Sequence, residues 1–340
     1  MPTNNAKAPK ETLIEAKAHM DKAEWKQAVE DLNRVLSEPG KDPGSKQVVA
    51  MAHFLRGQCL VHMGDLEKAT DDCNNALVLA KASVDVFIEG EALRLLGNIS
   101  WKKADYTKAL EYLNRAHEIA CQLKDDRLEG MVHLELGAVY MQTKDHLVSE
   151  REYREAVLAL EKAGDQRELA RAYNNFANNF TFQKKWEKAA EMFAKCKKIA
   201  EKVGDEGFLA WGAFNRAECL LELGDPKEAM TELELAIPIL ERTDDRIGML
   251  GAYQVAGLAY AKVGKWKEAE EFLIKARRLA QKQKMPVSEG TILRDIGRIF
   301  KWRGDRDKAM LYFKEAQDLF EKHGAKTELE RLRDEMKDLA

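Results

Sequence analysis

The sequence predicts an all-α solenoid of about eight helical hairpins with a C-terminal capping helix. Three observations carry that prediction. Small residues recur with fixed spacing, as in Gly257, Ala269 and Ala276, which lie 12 and 7 apart. The first of them falls at Ala16, Gly57, Gly97, Gly137, Ala177, Ala217, Gly257 and Gly297, so the step is 41 residues once and 40 thereafter. The second falls at Ala28, Ala69, Ala109, Ser149, Ala189, Ala229, Ala269 and Ala309, and a bulky residue follows it by four: Leu32, Cys73, Leu113, Tyr153, Phe193, Leu233, Leu273 or Phe313. A period of this size means stacked units that bury their apolar faces against one another.

Each element follows from that frame. Residues 1–9, with Pro2 and Pro9 among polar neighbours, are expected to be a disordered lead-in. The solenoid is expected over residues 10–324, with units near 10–40, 48–84, 88–124, 128–163, 166–203, 206–243, 246–284 and 288–323. In each, the first helix carries the Gly or Ala that lets two backbones approach, and the second carries the bulky residue that fills the remaining space. Gly64-Asp65, Gly224-Asp225-Pro226 and Gly304-Asp305 punctuate the hairpins, with Pro226 suited to a first helical position. Asp126 with Glu129, and Asp165 with Glu168, have the spacing of reciprocal N-terminal caps. Pro39, Gly40, Pro43 and Gly44 predict a longer loop over Glu38 to Lys46. Pro238 is expected to kink the second helix of the sixth unit. Residues 325–340 place Leu329, Leu332, Met336 and Leu339 at helical spacing, as a cap on the last unit or, alternatively, as a dimerisation helix.

Composition narrows the function classes. Lys plus Arg is 55 against 58 Asp plus Glu, a formal charge of −3, and this balance argues against nucleic acid as a partner. No apolar run reaches the roughly 20 residues that cross a bilayer, so no membrane is expected. The five cysteines are scattered without a C-x-x-C pair, which points to a reducing, cytoplasmic setting. Two sequons, at Asn98 and Asn179, fall inside predicted helices and carry no weight. The histidines show no metal-ligand spacing with Cys, Asp or Glu, and His53 and His133 are expected to be structural. No phosphate loop, nucleophile elbow or zinc-protease motif occurs, so neither an enzyme nor a cofactor is expected.

The small residue of the first helix, the aromatic or Leu three residues later (Leu60, Tyr140, Phe180, Leu220, Tyr260, Phe300), and the Ala and bulky residue of the second together resemble the tetratricopeptide repeat over residues 10 to about 320. His19 and Ser100 depart from the pattern at the aromatic place, and Ser149 at an Ala place. The resemblance implies a right-handed superhelix that serves as a protein-interaction scaffold. A 40-residue unit exceeds the usual 34 residues and lengthens each hairpin by about 9 Å, similar to kinesin light chains and spindle-orientation adaptors. HEAT arrays share the period but not the spacing of small residues, and the acidic pI counts against RNA-reading helical repeats.

Helical phase, at about 100° per residue, puts the residues six and three before the first-helix Gly or Ala, and one, four and five after it, on one arc. In the family that arc lines the concave groove. It carries Arg94, Asn98, Trp101 and Lys102 in unit three, and Met131, Leu134 and Met141 in unit four. Unit five contributes Arg171, Asn174, Asn178, Thr181 and Phe182, with Asn175 at the edge. Unit six contributes Trp211, Phe214 and Leu221, with Asn215 extending the amide row and Glu218 and Glu222 adding acid. Arg294, Arg298, Lys301 and Trp302 close the series in unit eight. The string YNNFANNF is similar to the Asn-bearing helix of kinesin light chains, where amides hold the backbone of a bound peptide; a carboxamide both donates and accepts, so it suits any main chain. Trp211 and Phe214 are expected to form an exposed apolar binding patch, whereas Trp25, Trp186 and Trp266 are assigned to the core. The arginines are expected to receive a carboxylate. A tail-clamp co-chaperone fits poorly, because Glu135 stands where the next repeat should supply an Asn.

The expected function is an adaptor binding an extended or helical segment of a protein or peptide partner. A peptide-sensing regulator is the alternative, although such regulators usually carry an effector domain before the repeats. A self-assembling scaffold is the other, as a homo-oligomer through the groove or the C-terminal helix.

Overall fold

A computed structural model of the chain describes residues 8–38 and 45–337. Residues 1–7 of the lead-in expected over 1–9, and the centre of the expected long loop, residues 39–44, lie outside them, as do residues 338–340 of the C-terminal segment. All seventeen elements among the described residues are α-helices, and no strand occurs there. They are α1 Pro9–Asp21, α2 Trp25–Ser37, α3 Ser45–Met63, α4 Leu66–Ser83, α5 Val86–Lys102, α6 Tyr106–Leu123, α7 Asp126–Gln142 and α8 His146–Ala163. The series continues with α9 Gln166–Phe182, α10 Trp186–Val203, α11 Glu206–Glu222, α12 Pro226–Arg242, α13 Arg246–Lys262, α14 Trp266–Lys282, α15 Pro286–Arg303, α16 Arg306–Lys322 and α17 Lys326–Lys337. Contacts gather the chain into two units, Met1–Glu168 and Leu169–Ala340.

In the first unit each odd-numbered helix packs on the even one after it, and successive odd helices also touch: α1 with α3, α3 with α5 and α5 with α7. The small residues explain how closely the partners sit. A Cβ on Gly97 would come within 2.6 Å of the Leu113 side chain, so nothing larger than hydrogen fits there. The second unit repeats the arrangement: Gly257 faces Leu273, which is fully buried. A Leu in that state contributes about 1.5–3 kcal/mol. At the C-terminus α17 packs on α16 with Leu332 fully buried and Leu329 and Met336 half-buried.

Short turns set the hairpin geometry. Gly224 takes φ +84, a conformation that costs a glycine little, and Asp225 then accepts the Glu228 N–H while Pro226 fills the first helical position. Asp65 and Asp305 cap α4 and α16 in the same way, and Asp165 accepts the Glu168 N–H at 3.1 Å. Several local expectations are corrected. Pro9 already lies in α1, because proline at a first helical position gives up only a donor that has no partner there. Asp125, not Asp126, caps α7. Pro238 does fall inside α12, as expected, and lies exposed there. Trp25 and Trp266 do pack against the core, as expected, and like Trp186 they are half-buried at the first positions of α2, α14 and α10, whose preceding residues make no side-chain cap. His53 and His133 each tie the two helices of one hairpin together: their Nδ1 atoms meet Asp72 at 2.8 Å and Glu152 at 2.7 Å.

Candidate functional site

The predicted arc divides into a closed part and an open part. The residue three before the small one points toward the next odd-numbered helix, where it meets the residue two before that helix's own small position. Arg94 on α5 shows the pattern in the first unit. Its guanidinium donates to Glu91 Oε2 through Nε and Nη2, at 3.0 and 2.8 Å, and to Glu135 Oε1 on α7 through Nη1, at 2.6 Å. Arg94 is 4% exposed. Burial alone would favour the neutral guanidine, but the charges of Glu91 and Glu135 reverse the shift and hold it protonated. The expected groove cation is therefore an internal ion triad. Met131 and Leu134 are buried as well. Asn98 and Trp101 are both half-buried, Trp101 packed against the core of its hairpins with Lys102 Nζ 5.7 Å from the indole centroid. The Trp101 N–H is buried with no acceptor.

In the second unit the same pairing recurs at a separation of 41 residues. Gln254 on α13 donates to Asp295 on α15, and Arg294 on α15 lies 3.8 Å from Glu335 on α17 while also binding Glu328. Arg298 donates to Glu335 at 2.9 Å and to Asp295 at 3.1 Å, and Lys301 donates to the Glu335 carbonyl at 3.3 Å. The last helix thus stands where a further odd helix would, and its carboxylates occupy the arginines expected to await a partner. Trp302 remains open, 41% exposed beneath Lys262 Nζ at 4.4 Å from its ring centroid.

Trp211 and Phe214 also depart from expectation. Phe214 is 8% exposed, and its ring fills the space above Gly251, where a Cβ would come within 2.6 Å of it. Trp211 is half-buried, edge-on to Phe214, and its indole donates to Asp245 at 2.7 Å. Both are packing residues between hairpins, drawn there because α13 offers a glycine rather than a side chain.

The amide helix α9 is different. Arg171, Asn174, Asn175 and Asn178 are half-buried, and Phe182 is 68% exposed. Asn174 reaches only Asn175, at 3.4 Å through its Nδ2, and its Oδ1 is buried with no donor. By the 41-residue rule its counterpart on α11 is Asn215, likewise half-buried, and no hydrogen bond joins the two. Asn178, one place after the small Ala177, makes none either. Further along the same row lies Glu218, which reaches solvent while its carboxyl is crowded by protein; desolvation first, then the charge of Glu222, raises it above its ordinary value.

Two features escaped the sequence reading. Asn179 is fully buried with neither end of its amide bonded, at a place where other hairpins carry Cys59, Ile99, Val139, Cys219, Ala259 or Ile299. Glu232, three residues after a second-helix Ala, is buried and receives Lys197 at 2.6 Å and Arg216; the acids Asp31, Asp72 and Glu152 hold the same place and were a readable signal.

Odd and even helices alternating, with small residues between them and an open face along the odd helices, define a helical-hairpin repeat protein. A sequence profile of the tetratricopeptide repeat matches residues 48–122, 129–202, 168–242 and 249–322, and the chain belongs to that family. No match in sequence is found among curated proteins. Among solved structures, the fold is similar to a Rap protein complexed with Competence and Sporulation Factor: TM-score 0.60, 15% identity, 98% of this chain and 99% of that one covered. The apo quorum sensor NprR from B. thuringiensis gives TM-score 0.62 at 14% identity over 97% and 98%. A signal transduction ATPase with a tetratricopeptide repeat sensor from Pyrococcus horikoshii gives 0.68 at 16% identity, over 97% of this chain and 56% of that chain. At such identities the likeness is one of fold. Among the described residues no helix is long and apolar enough to cross a membrane.

Proposed function

We propose that the chain is a cytoplasmic adaptor, acting by binding rather than by catalysis, that holds a segment of a protein partner along the open face of α9 and the odd helices after it. One observation supports this above the rest: the Asn174 Oδ1 is buried without a donor, beside Asn178, whose amide makes no hydrogen bond. An unmet buried acceptor costs about 1–3 kcal/mol, a cost that a main-chain N–H from a bound segment would remove. Asn215 extends the amide row, Phe182 supplies exposed apolar surface, and Glu218 with Glu222 favours a segment carrying Lys or Arg beyond the amides.

The test is affinity purification from native lysate with the wild type beside an Asn174→Ala/Asn178→Ala variant. The main partner is expected to vanish with the variant while the melting curve stays in place. A partner held equally by both would refute the assignment.

A second reading, a sensor of small peptides, is favoured by the near full-length similarity to the Rap protein complexed with Competence and Sporulation Factor and to the quorum sensor NprR. It predicts that the low-mass fraction of a lysate raises the melting temperature of the wild type but not of the double variant. Self-assembly through the groove or α17 is a third, and light scattering that stays monomeric across concentration removes it.

A further inference from the structure

The second helix of the third hairpin ends in a feature that peptide binding does not use. His117 and Cys121 are one helical turn apart on α6, so they share a face, and Glu129 comes to that face from the first turns of α7. The ligand atoms of all three lie within 4.8 Å of one another. Cys121 is the one exposed cysteine; Cys59, Cys73, Cys196 and Cys219 are buried. The His117 ring is set edge-on against His133, with centroids 4.8 Å apart, and the Nδ1 of His133 is fixed at 2.7 Å to Glu152. His117 is thereby positioned by a neighbour that is itself anchored. The absence of metal-ligand spacing read from the sequence is corrected here: one turn separates His117 from Cys121, and the third donor arrives from the next hairpin.

The geometry points to a zinc site formed by His117 Nε2, Cys121 Sγ and a Glu129 carboxylate oxygen, with the fourth position open to solvent. The Sγ and Nε2 atoms are 3.6 Å apart. A tetrahedral zinc with Zn–S of about 2.3 Å and Zn–N of about 2.05 Å spans an S to N edge of about 3.6 Å, so these two donors already stand at the required separation. Only the flexible Glu129 side chain has to close in. A thiolate with an imidazole selects zinc over magnesium or calcium, which favour all-oxygen shells. On binding, the sulfur lone pair forms the Zn–S bond, the thiol proton passes to the buffer, and the Cys121 to His117 hydrogen bond is replaced by two bonds to the metal.

The test uses the reduced full-length chain titrated with Co²⁺ and then Zn²⁺. The wild type is expected to bind one cobalt per chain with a thiolate-to-cobalt charge-transfer band in the near ultraviolet, which zinc abolishes by displacement. Cys121→Ser should lose the band, and both Cys121→Ser and His117→Asn should weaken zinc binding by at least about tenfold. Glu129→Gln should weaken binding while keeping the band. These side chains are exposed or half-buried, so circular dichroism should show the variants folded. A wild type without the band, a band that survives Cys121→Ser, or zinc affinity unchanged in both Cys121→Ser and His117→Asn would overturn the site.

Discussion

Asn174 on α9 and Arg294 on α15 occupy the same place, three residues before the small residue of their helices, as Asn178 and Arg298 occupy the place one after it. Their fates differ. Arg294 is 8% exposed and held by Glu328, and Arg298 is held by Asp295 and Glu335, all within the second unit. Asn174 keeps a buried acceptor without a donor, and Asn178 makes no hydrogen bond. Helical position is therefore not what makes a polar side chain available. Availability depends on what the following odd helix brings alongside: α17 brings carboxylates, whereas α11 brings Asn215.

The comparison can be broken most severely at Arg94, the most completely closed member of the row. Arg94→Ala removes the buried cation that Glu91 and Glu135 share, leaving Glu91 only the longer contact to Arg127 at 3.5 Å, and the loss is expected to be about 3–5 kcal/mol, read as a fall in the urea midpoint. Charge matched to burial is the point, so the double variant Arg94→Met/Glu135→Met should recover part of that loss. At Asn179 the expected sign reverses. Val, as at the equivalent Val139, removes a buried amide that bonds nothing, and Asn179→Val should stabilise by about 1–2 kcal/mol.

Acid provides the next test. Burial would raise the Asp72 carboxyl, but hydrogen bonds from Arg56 and His53 outweigh it and hold it below its ordinary value; Glu152 is held down likewise against burial by His133 and Arg151. Depressed carboxyls contribute stability that is fully present above their unfolded values of about 4 and is lost as pH falls through the folded ones. Urea midpoints should therefore drop below about pH 4, and Asp72→Asn should flatten that decline. Glu218 is raised, so its ionised form disfavours the folded state near neutrality, and Glu218→Gln should raise the melting temperature slightly. Smaller still is Arg298→Ala, expected to cost about 1 kcal/mol or less, since its pairs are partly solvated. Asn178→Ala should stay within about 0.5 kcal/mol of wild type while weakening partner binding.

The fold was legible because it rests on local spacing. Gly257 twelve residues before Ala269 and sixteen before Leu273 is enough to place two helices in contact, and each such hairpin repeats the statement. The site was legible only in part. Phase puts Arg94 and Asn98 on one arc of α5, yet it describes angle about one axis, and whether Arg94 is covered depends on Glu135 arriving 41 residues later. Phe214 was read as surface for the same reason: nothing in α11 says that Gly251 leaves room for its ring. At the positions one and five after the small residue the outcome again follows the neighbour: Phe182 and Trp302 are exposed and Asn178 is half-buried, whereas Arg298, also one place after its glycine, is reached by Glu335 of α17.

The division between a binding face on odd helices and a passive face on even ones can be tested by photo-crosslinking in native lysate. Phe182→p-benzoylphenylalanine places the probe on the end of α9, and Leu311→p-benzoylphenylalanine places it on α16; both side chains are well exposed. Covalent partner adducts are expected from position 182 and not from 311. Equal adducts from both, or adducts from 311 alone, would contradict the account.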